Sequence, residues 1–230
     1  MRNIFKITIK KTLPVFFGYI FVGMAFGLLL DNAGYSWIWS ILISSVVYSG
    51  SLQFVLVSFL VNPVSVFSVL ITSVAVNSRY MFCGISFINR FKNMGKKKWY
   101  MIFSLTDETY SLLFSLKDEK KLYENDIFLF LISFFNQIYW IIGSFIGAFI
   151  GDVIPFNTQG IEFAMTALFI VILLEQILST KSILPAVIGL MSSAASIFLF
   201  SIENFILPSL FLSSFLLLAI KQYKLKGDKQ

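Results

Sequence analysis

The sequence predicts an all-α polytopic membrane protein, and three observations support that fold class. Of the 230 residues, 57% are hydrophobic and only 13% are charged, whereas a soluble domain carries roughly 25% charged residues. The apolar residues form runs of about 20, the length that an α-helix needs to cross a bilayer. Short clusters of Lys and Arg flank those runs, as they do beside membrane helices. We therefore expect the whole chain to lie in a lipid bilayer as one transmembrane domain.

Eight hydrophobic segments make up this domain. In chain order they cover residues 12–30, 37–61, 64–88, 99–116, 127–150, 161–177, 182–200 and 204–220.

The basic residues predict how these segments are oriented. Most of them fall in three clusters, near the N-terminus, within residues 90–98 and after residue 220, and the positive-inside rule assigns all three clusters to the cytoplasm. Eight simple crossings would put the middle cluster outside. The conflict disappears if one of segments 2 and 3, and one of segments 6 and 7, enters and leaves on the same side. Residues 117–126, whose three Lys and four acids give a net charge of −1, are then expected outside.

A weak internal similarity predicts two inverted repeats, residues 12–116 and 127–220. Each half would cross three times, so the halves would have opposite orientations, as in many secondary transporters. Segments 1 and 5 both carry glycines at a spacing that allows close helix packing. These are Gly18, Gly23 and Gly27 in segment 1 and Gly143, Gly147 and Gly151 in segment 5.

Several functional classes are excluded by composition. The chain has no histidine and a single cysteine, Cys83, so the sequence predicts no metal site, cofactor or disulfide framework. The net charge of +6 comes from short flanks of apolar runs, so we expect no nucleic-acid partner.

Arg79 is the most informative residue, because it lies in the middle of segment 3 within Asn77-Ser78-Arg79-Tyr80. A charge at the bilayer midplane costs at least ~2.5–3.5 kcal/mol, and a guanidinium does not lose its proton. Arg79 therefore needs an acidic partner, a bound anion or a watery cavity, unless it reaches the cytoplasmic edge. A solute pathway and a purely structural ion pair both remain open.

Segment 2 is interrupted by polar and small residues at Tyr48-Ser49-Gly50-Ser51-Leu52-Gln53. Such residues can unwind a helix, and the freed N–H groups at a half-helix N-terminus suit a carboxylate. A continuous helix with a small-residue packing face is the alternative. The predicted substrate-binding residues are Gly50, Ser51, Gln53, Asn77, Arg79 and Tyr80.

Acidic residues supply the complementary charge. Asp107 and Glu108 lie in segment 4, where either could balance Arg79, bind an ammonium group or carry a coupling proton. Glu162 opens segment 6 and joins them as a candidate proton-coupling or ion-pair residue. Together with the abundant Phe, Ile and Leu, these groups would accommodate an apolar amino acid.

Five motifs in order resemble the AzlC family of branched-chain amino acid permeases. They begin with Pro14-x3-Gly18-x4-Gly23-x3-Gly27 and continue through the two motifs at residues 48–54 and 77–80. Thr106-Asp107-Glu108-Thr109-Tyr110 and Gly160-Ile161-Glu162-Phe163-Ala164 complete the series. The resemblance covers residues 14–164, about two thirds of the chain.

The resemblance implies an exporter of branched-chain amino acids in the bacterial inner membrane, driven by a proton gradient and working with a small AzlD-type membrane subunit. Both termini are expected in the cytoplasm. Two rivals remain: a non-transporting scaffold or regulatory subunit, and an intramembrane aspartyl protease. The protease would need Asp107 and Asp152 to face each other, and Phe149 occupies a position where its motif requires glycine. We therefore expect a transporter and not an enzyme.

Overall fold

The computed structural model describes residues 2–62, 64–153, 170, 173–174, 177–178, 182–200 and 205–227. Apart from one short 3-10 turn, the regular secondary structure in these ranges is α-helical, as the sequence predicts. The α-helices are α1 (Arg2–Asn32), α2 (Trp37–Val46), α3 (Gly50–Val61), α4 (Val66–Ile85), α5 (Ile88–Lys92), α6 (Lys97–Phe103), α7 (Asp107–Ser115), α8 (Lys120–Tyr123), α9 (Asp126–Val153), α10 (Leu184–Phe200) and α11 (Ile206–Gly227).

The chain folds into two compact units. The first unit comprises residues 1–65 and 76–165, and the second comprises residues 66–75 and 166–230. Within the second unit, α10 packs against α11. The first unit holds all the described residues of the candidate site. The single transmembrane domain expected from the sequence remains a prediction.

Three helices of the described chain are long and apolar enough to cross a bilayer: Ile4–Asn32, Val66–Ile85 and Asp126–Val153. They correspond to predicted segments 1, 3 and 5. Segment 2 instead forms two helices, α2 and α3, of 10 and 12 residues. Each of these rises only about 15–18 Å, roughly half of the hydrocarbon thickness. Neither α2 nor α3 can cross a bilayer by itself.

Helices α1 and α9 pack through direct contact between their backbones. A Cβ atom on Gly143 would lie 2.8 Å from the carbonyl oxygen of Tyr19, and one on Gly27 or Gly147 would overlap the backbone of the facing helix. Gly18 is different, since a Cβ there would meet no atom within 4 Å. Most of the glycine series therefore allows close packing, as small residues do between membrane helices.

The contacts also show that α1 and α9 run in the same direction. Phe5 packs against Phe135 near the start of both helices, with ring centroids 5.2 Å apart. Near the end of both, a Cβ on Gly151 would lie 2.5 Å from Oδ2 of Asp31. Segments 1 and 5 were expected to run in opposite directions as equivalent parts of inverted repeats. Their parallel packing does not fit that assignment.

Helices α2 and α3 form a hairpin that enters the first unit from one end. Helix α2 runs antiparallel to α9. At the start of α2, Trp37 packs against Phe145, and near the end of α2 the carbonyl of Ser45 accepts a hydrogen bond of 3.1 Å from Gln137, which comes earlier in α9 than Phe145. Gln137 thereby pairs one of the C-terminal carbonyls that a helix leaves unpaired.

Helix α3 turns back toward the end at which α2 began. Gly50 starts α3 against the indole of Trp140. One turn later Phe54 packs against Phe26, which lies well beyond Tyr19 along α1. Segment 2 therefore returns to the end at which it began, as a re-entrant segment would, whereas the sequence left open which of segments 2 and 3 does so.

A second hairpin, α6 and α7, enters from the opposite end. The sequence predicted one continuous segment over residues 99–116, but the structure breaks it between Phe103 and Asp107. At the tip, Phe103 packs against Tyr48 of the first hairpin, with ring centroids 6.2 Å apart. Helix α7 then returns to a buried cluster in which Leu116 joins residues at the start of α9.

The linker over residues 117–126 lies beside the N-terminal part of α1. Lys11 forms an ion pair with Glu119, and Arg90 Nη2 lies 2.7 Å from Asp126 Oδ1. We call this end of the first unit, defined by Lys11, Arg90 and residues 117–126, the basic end. The expectation that residues 117–126 lie at the end opposite the first two basic clusters is wrong, since Lys11 and Arg90 belong to those clusters. The positive-inside rule counts Lys and Arg, of which this linker has three, and acids contribute little to it.

Cysteine labelling tests this arrangement in intact cells and inverted vesicles. With Cys83 replaced by alanine, we expect Lys121→Cys and Lys96→Cys to react with an impermeant maleimide from the same side. Ser36→Cys, in the exposed link between α1 and α2, should react from the other side. Labelling of Lys121→Cys together with Ser36→Cys would contradict the fold.

Candidate functional site

Two helix N-termini meet where the tips of the hairpins touch. Helix α3 begins at Gly50 and α7 begins at Asp107. Tyr48 precedes α3 with a φ of 35°, a left-handed conformation that is rare for a tyrosine and that surrounding structure must hold in place. Nearby, Tyr19 packs against Trp140, and both lie near the middle of their long helices. The tips therefore meet about halfway along the predicted spans.

Arg79 connects the two tips. Its Nη1 atom lies 2.8 Å from Asp107 Oδ2 at the start of α7, and its Nη2 atom donates a hydrogen bond of 2.5 Å to Ser51 Oγ in the first turn of α3. The side chains of Arg79 and Asp107 keep 31% and 27% of their exposure, so the pair is only partly buried. The sequence left the partner of Arg79 open between Asp107 and Glu108, and the structure assigns Asp107.

The remaining predicted residues of segment 3 lie against the same tip. Asn77 Oδ1 accepts a hydrogen bond of 2.8 Å from Ser49 Oγ. The Tyr80 hydroxyl lies 3.4 Å from both Ser49 Oγ and Arg79 Nη2. The Arg79 guanidinium also lies over the Tyr80 ring, 5.1 Å from its centroid. These contacts bring Asn77, Arg79, Tyr80 and Ser51 together, as predicted.

The two N-termini differ in how they are capped. Thr106 caps α7, with its Oγ1 accepting a hydrogen bond of 3.3 Å from Thr109 N, and two acids stand in the first turn. Ser49 does not cap α3, and no acid stands in its first turn. The N–H groups and partial positive charge at the start of α3 are therefore available to an anion.

Gln53 is completely buried behind this N-terminus. Its Oε1 accepts a hydrogen bond of 2.7 Å from Trp140 Nε1. Its Nε2 has no hydrogen-bond partner among the described residues. Gly50 lies against the same indole, since a Cβ there would be 3.1 Å from the ring of Trp140. Trp140 thus holds the first turn of α3 in place.

Glu108 takes part in a separate chain of hydrogen bonds. The Tyr19 hydroxyl donates a hydrogen bond of 2.8 Å to Glu108 Oε2 and lies 2.6 Å from Thr106 Oγ1. Thr106 Oγ1 in turn lies 3.0 Å from Thr109 Oγ1, which accepts a hydrogen bond of 3.0 Å from Asn136 Nδ2. This chain connects the exposed Glu108 to the buried faces of α1 and α9.

Tyr19 was not singled out from the sequence, although a signal for it existed. It stands four residues before Gly23 and eight before Gly27, so all three share the face that α1 presents to α9. A hydroxyl on the packing face of a membrane helix needs a partner inside the protein. That rule would have placed Tyr19 in the site.

Of two other residues singled out from the sequence, the structure describes only one, and that one lies away from the site. Glu162 lies outside the described residues. Asp152 lies at the far end of α9, where its neighbour Gly151 packs against Asp31. Asp31 is twelve residues beyond Tyr19 on α1, or about 18 Å along the helix axis. Asp107 and Asp152 therefore do not form the facing pair that an aspartyl protease needs.

Comparisons with known proteins agree with the motifs at these tips. The family described as AzlC protein matches residues 14–154, which include both hairpins. The branched-chain amino acid transport protein AzlC of Bacillus subtilis is 36% identical over 206 residues, covering 90% of this chain and 81% of that protein. A membrane protein of Helicobacter pylori is 38% identical, covering 90% and 91% of the two chains.

A membrane protein of Haemophilus influenzae is 33% identical over 222 residues, covering 96% of this chain and 90% of its own length. No solved structure matches the chain. The family match, the membrane relatives and the apolar helices together identify a membrane protein, and the chain belongs to the AzlC family.

Proposed function

We propose that this protein exports branched-chain amino acids across the bacterial inner membrane by alternating access, driven by the proton gradient and together with a small AzlD-type membrane subunit. The basic end and both termini would face the cytoplasm. The similarity to a branched-chain amino acid transport protein over most of the chain supports the substrate class. The concentration of Lys and Arg supports the orientation.

One observation carries the proposal: two hairpins from opposite ends meet at the Arg79–Asp107 ion pair. Broken helices that meet near the middle of a membrane protein are how many secondary transporters form their substrate sites. Each hairpin separates this site from one end of the first unit. Movement of one hairpin at a time would expose the site to one side and then to the other.

The tips offer suitable groups for an amino acid. The carboxylate would bind the N–H groups of Gly50 and Ser51 together with Arg79, which already contacts Ser51. Gln53 and Asn77 would hold the α3 tip, and Tyr80 would flank the guanidinium. Asp107 would accept the ammonium group while remaining beside Arg79. We include Glu162 from the second half of the chain as a further candidate acid.

The test is flux of labelled leucine, isoleucine and valine from loaded proteoliposomes, with and without the small subunit and a pH gradient. We expect gradient-dependent flux of at least one substrate, reduced about 30-fold or more in Asp107→Asn, because truncating one partner of a close charge pair costs about 2 kcal/mol or more.

Asp126→Asn is the matched control. Like Asp107, Asp126 stands in the first turn of a helix and pairs with an arginine, in this case Arg90. Asp126 differs in lying at the basic end. We expect its flux to stay near wild type. Equal loss in both variants, or no flux from folded and correctly paired wild-type protein, would contradict the proposal and favour a scaffold role.

A further inference from the structure

The charges at the hairpin tips do not balance. Arg79 contributes one positive charge, whereas Asp107 and Glu108 contribute two negative charges. Asp107 pairs with Arg79. None of the ion pairs among the described residues includes Glu108. A bound zwitterionic amino acid would add no net charge, so it would leave this imbalance unchanged.

Glu108 is nevertheless in a defined position. It is exposed on the surface of the chain, yet it stands at the level of Tyr19, in the middle of the span formed by α1. An ionised carboxylate at that depth is costly unless it meets water or a proton. Within the described chain, Tyr19 donates a hydrogen bond to this carboxylate. Tyr19 is a neutral donor, so it holds the carboxylate without cancelling its charge.

We propose that Glu108 carries the coupling proton, that Asp107 stays ionised beside Arg79 throughout the cycle, and that Tyr19 is the residue that positions Glu108. This inference rests on the proposed transport function and separates two acids that the sequence could not distinguish. The separation comes from geometry: Asp107 has a cation at 2.8 Å, and Glu108 has a hydroxyl at 2.8 Å.

The ionisable groups around Glu108 come from three packed elements and from its own helix. Tyr19 belongs to α1, and Tyr48 belongs to the tip of the first hairpin. Arg79 and Tyr80 belong to α4. Each of these lies within electrostatic reach of the Glu108 carboxylate. Asp107 precedes it in α7. Arg79 is the only cation among these groups, and it already forms an ion pair with Asp107.

The proton step changes hydrogen bonds and leaves the substrate's covalent bonds intact. In the ionised state, the Tyr19 hydroxyl donates to Glu108 Oε2. A proton from water on one side forms an O–H bond on this carboxylate, and the Tyr19 hydrogen bond passes to Thr106 Oγ1, 2.6 Å away. When the carboxyl ionises again, the proton returns to water on the other side. One proton therefore crosses per cycle.

Glu108→Gln tests this assignment in proteoliposomes. We expect exchange of internal labelled for external unlabelled leucine to persist within roughly tenfold of wild type, because Gln keeps the shape and an acceptor for Tyr19. Accumulation driven by a pH gradient should be lost, and the pH profile of exchange should become flat. Glu119→Gln, which changes a glutamate at the basic end, should retain both activities.

Tyr19→Phe tests the positioning role separately. Removing a donor that stabilises the charged carboxylate should move the pH midpoint of leucine exchange upward while coupling survives. Tyr139→Phe is the matched control, because its hydroxyl contacts Thr12, away from the tips. An unchanged midpoint in Tyr19→Phe would contradict the positioning role.

Three results would overturn the assignment of Glu108. These are gradient-driven accumulation retained in Glu108→Gln, exchange and accumulation lost together in that variant, and wild-type accumulation that follows a sodium gradient instead of pH. The absence of leucine exchange in folded wild-type protein would instead overturn the proposed transport function. The wild-type control therefore tests that function separately from the assignment of Glu108.

Discussion

Arg79→Ala chains are expected to reach the membrane folded and to lose leucine flux by about 30-fold or more, since removing one partner of a close charge pair costs about 2 kcal/mol or more. Arginine makes two contacts here, with Nη1 on Asp107 and Nη2 on Ser51. Alanine leaves Asp107 without its cation and removes the group that connects the two hairpin tips. The measurement is flux from loaded proteoliposomes, with folding checked by size-exclusion chromatography.

Two further variants separate a role of Arg79 in transport from a purely structural role. Arg79→Lys keeps the charge but lacks the planar fork, so we expect flux between those of wild type and Arg79→Ala. Arg90→Ala removes an arginine at the basic end that, like Arg79, forms an ion pair and a further hydrogen bond, here with Asp126 and with the carbonyl of Tyr123. This variant should retain most of the flux. If Arg79→Ala fails to fold while Arg90→Ala folds, Arg79 has a structural role instead. Normal flux in Arg79→Ala would show that Arg79 is not part of the substrate site.

Gly147→Ala is expected to destabilise the first unit by at least about 3 kcal/mol, the upper part of the usual range for overpacking. The new Cβ would overlap the backbone of Met24. Backbone atoms cannot change rotamer to make room, so α1 and α9 would have to separate. The measurement is thermal unfolding of purified protein in detergent, and Gly27→Ala should behave in the same way.

Gly18→Ala is the control for this prediction. It lies on the same helix α1, but its Cβ would meet no atom within 4 Å. Alanine is the better helix former by about 1 kcal/mol, so the melting temperature should stay equal or rise. Similar losses in Gly18→Ala and Gly147→Ala would show that the glycines act through something other than helix contact.

Much of the first unit follows from sequence because its signals are local. The long spans are apolar runs, the break before Gly50 has small polar residues, and Arg79 cannot lose its charge. A buried cation must find an acid, and the nearby segment 4 contains two. These constraints predicted that Arg79 would meet one of these two acids, and the structure places Asp107 beside it.

The parts that sequence did not predict depend on tertiary contacts. The break between Phe103 and Asp107 contains no glycine or proline. The polar side chains there support the break, since Ser104 bonds back to the Tyr100 carbonyl and Thr106 caps α7. The parallel packing of α1 and α9 likewise depends on the end from which the preceding hairpin, α6 and α7, enters the first unit, because α9 begins where that hairpin returns. The spacing of the glycines does not indicate the direction in which two packed helices run.

Equilibrium binding of labelled leucine to purified protein, co-expressed with the proposed small subunit, tests the central claim most directly. The claim is that the hairpin tips bind the substrate carboxylate through Arg79 and the start of α3. We predict saturable binding of leucine that unlabelled isoleucine and valine displace. Leucinol, which lacks the carboxylate, should displace it at least about 30-fold less well, and Arg79→Ala should show no saturable binding. Equal displacement by leucinol, or undiminished binding in Arg79→Ala, would contradict it.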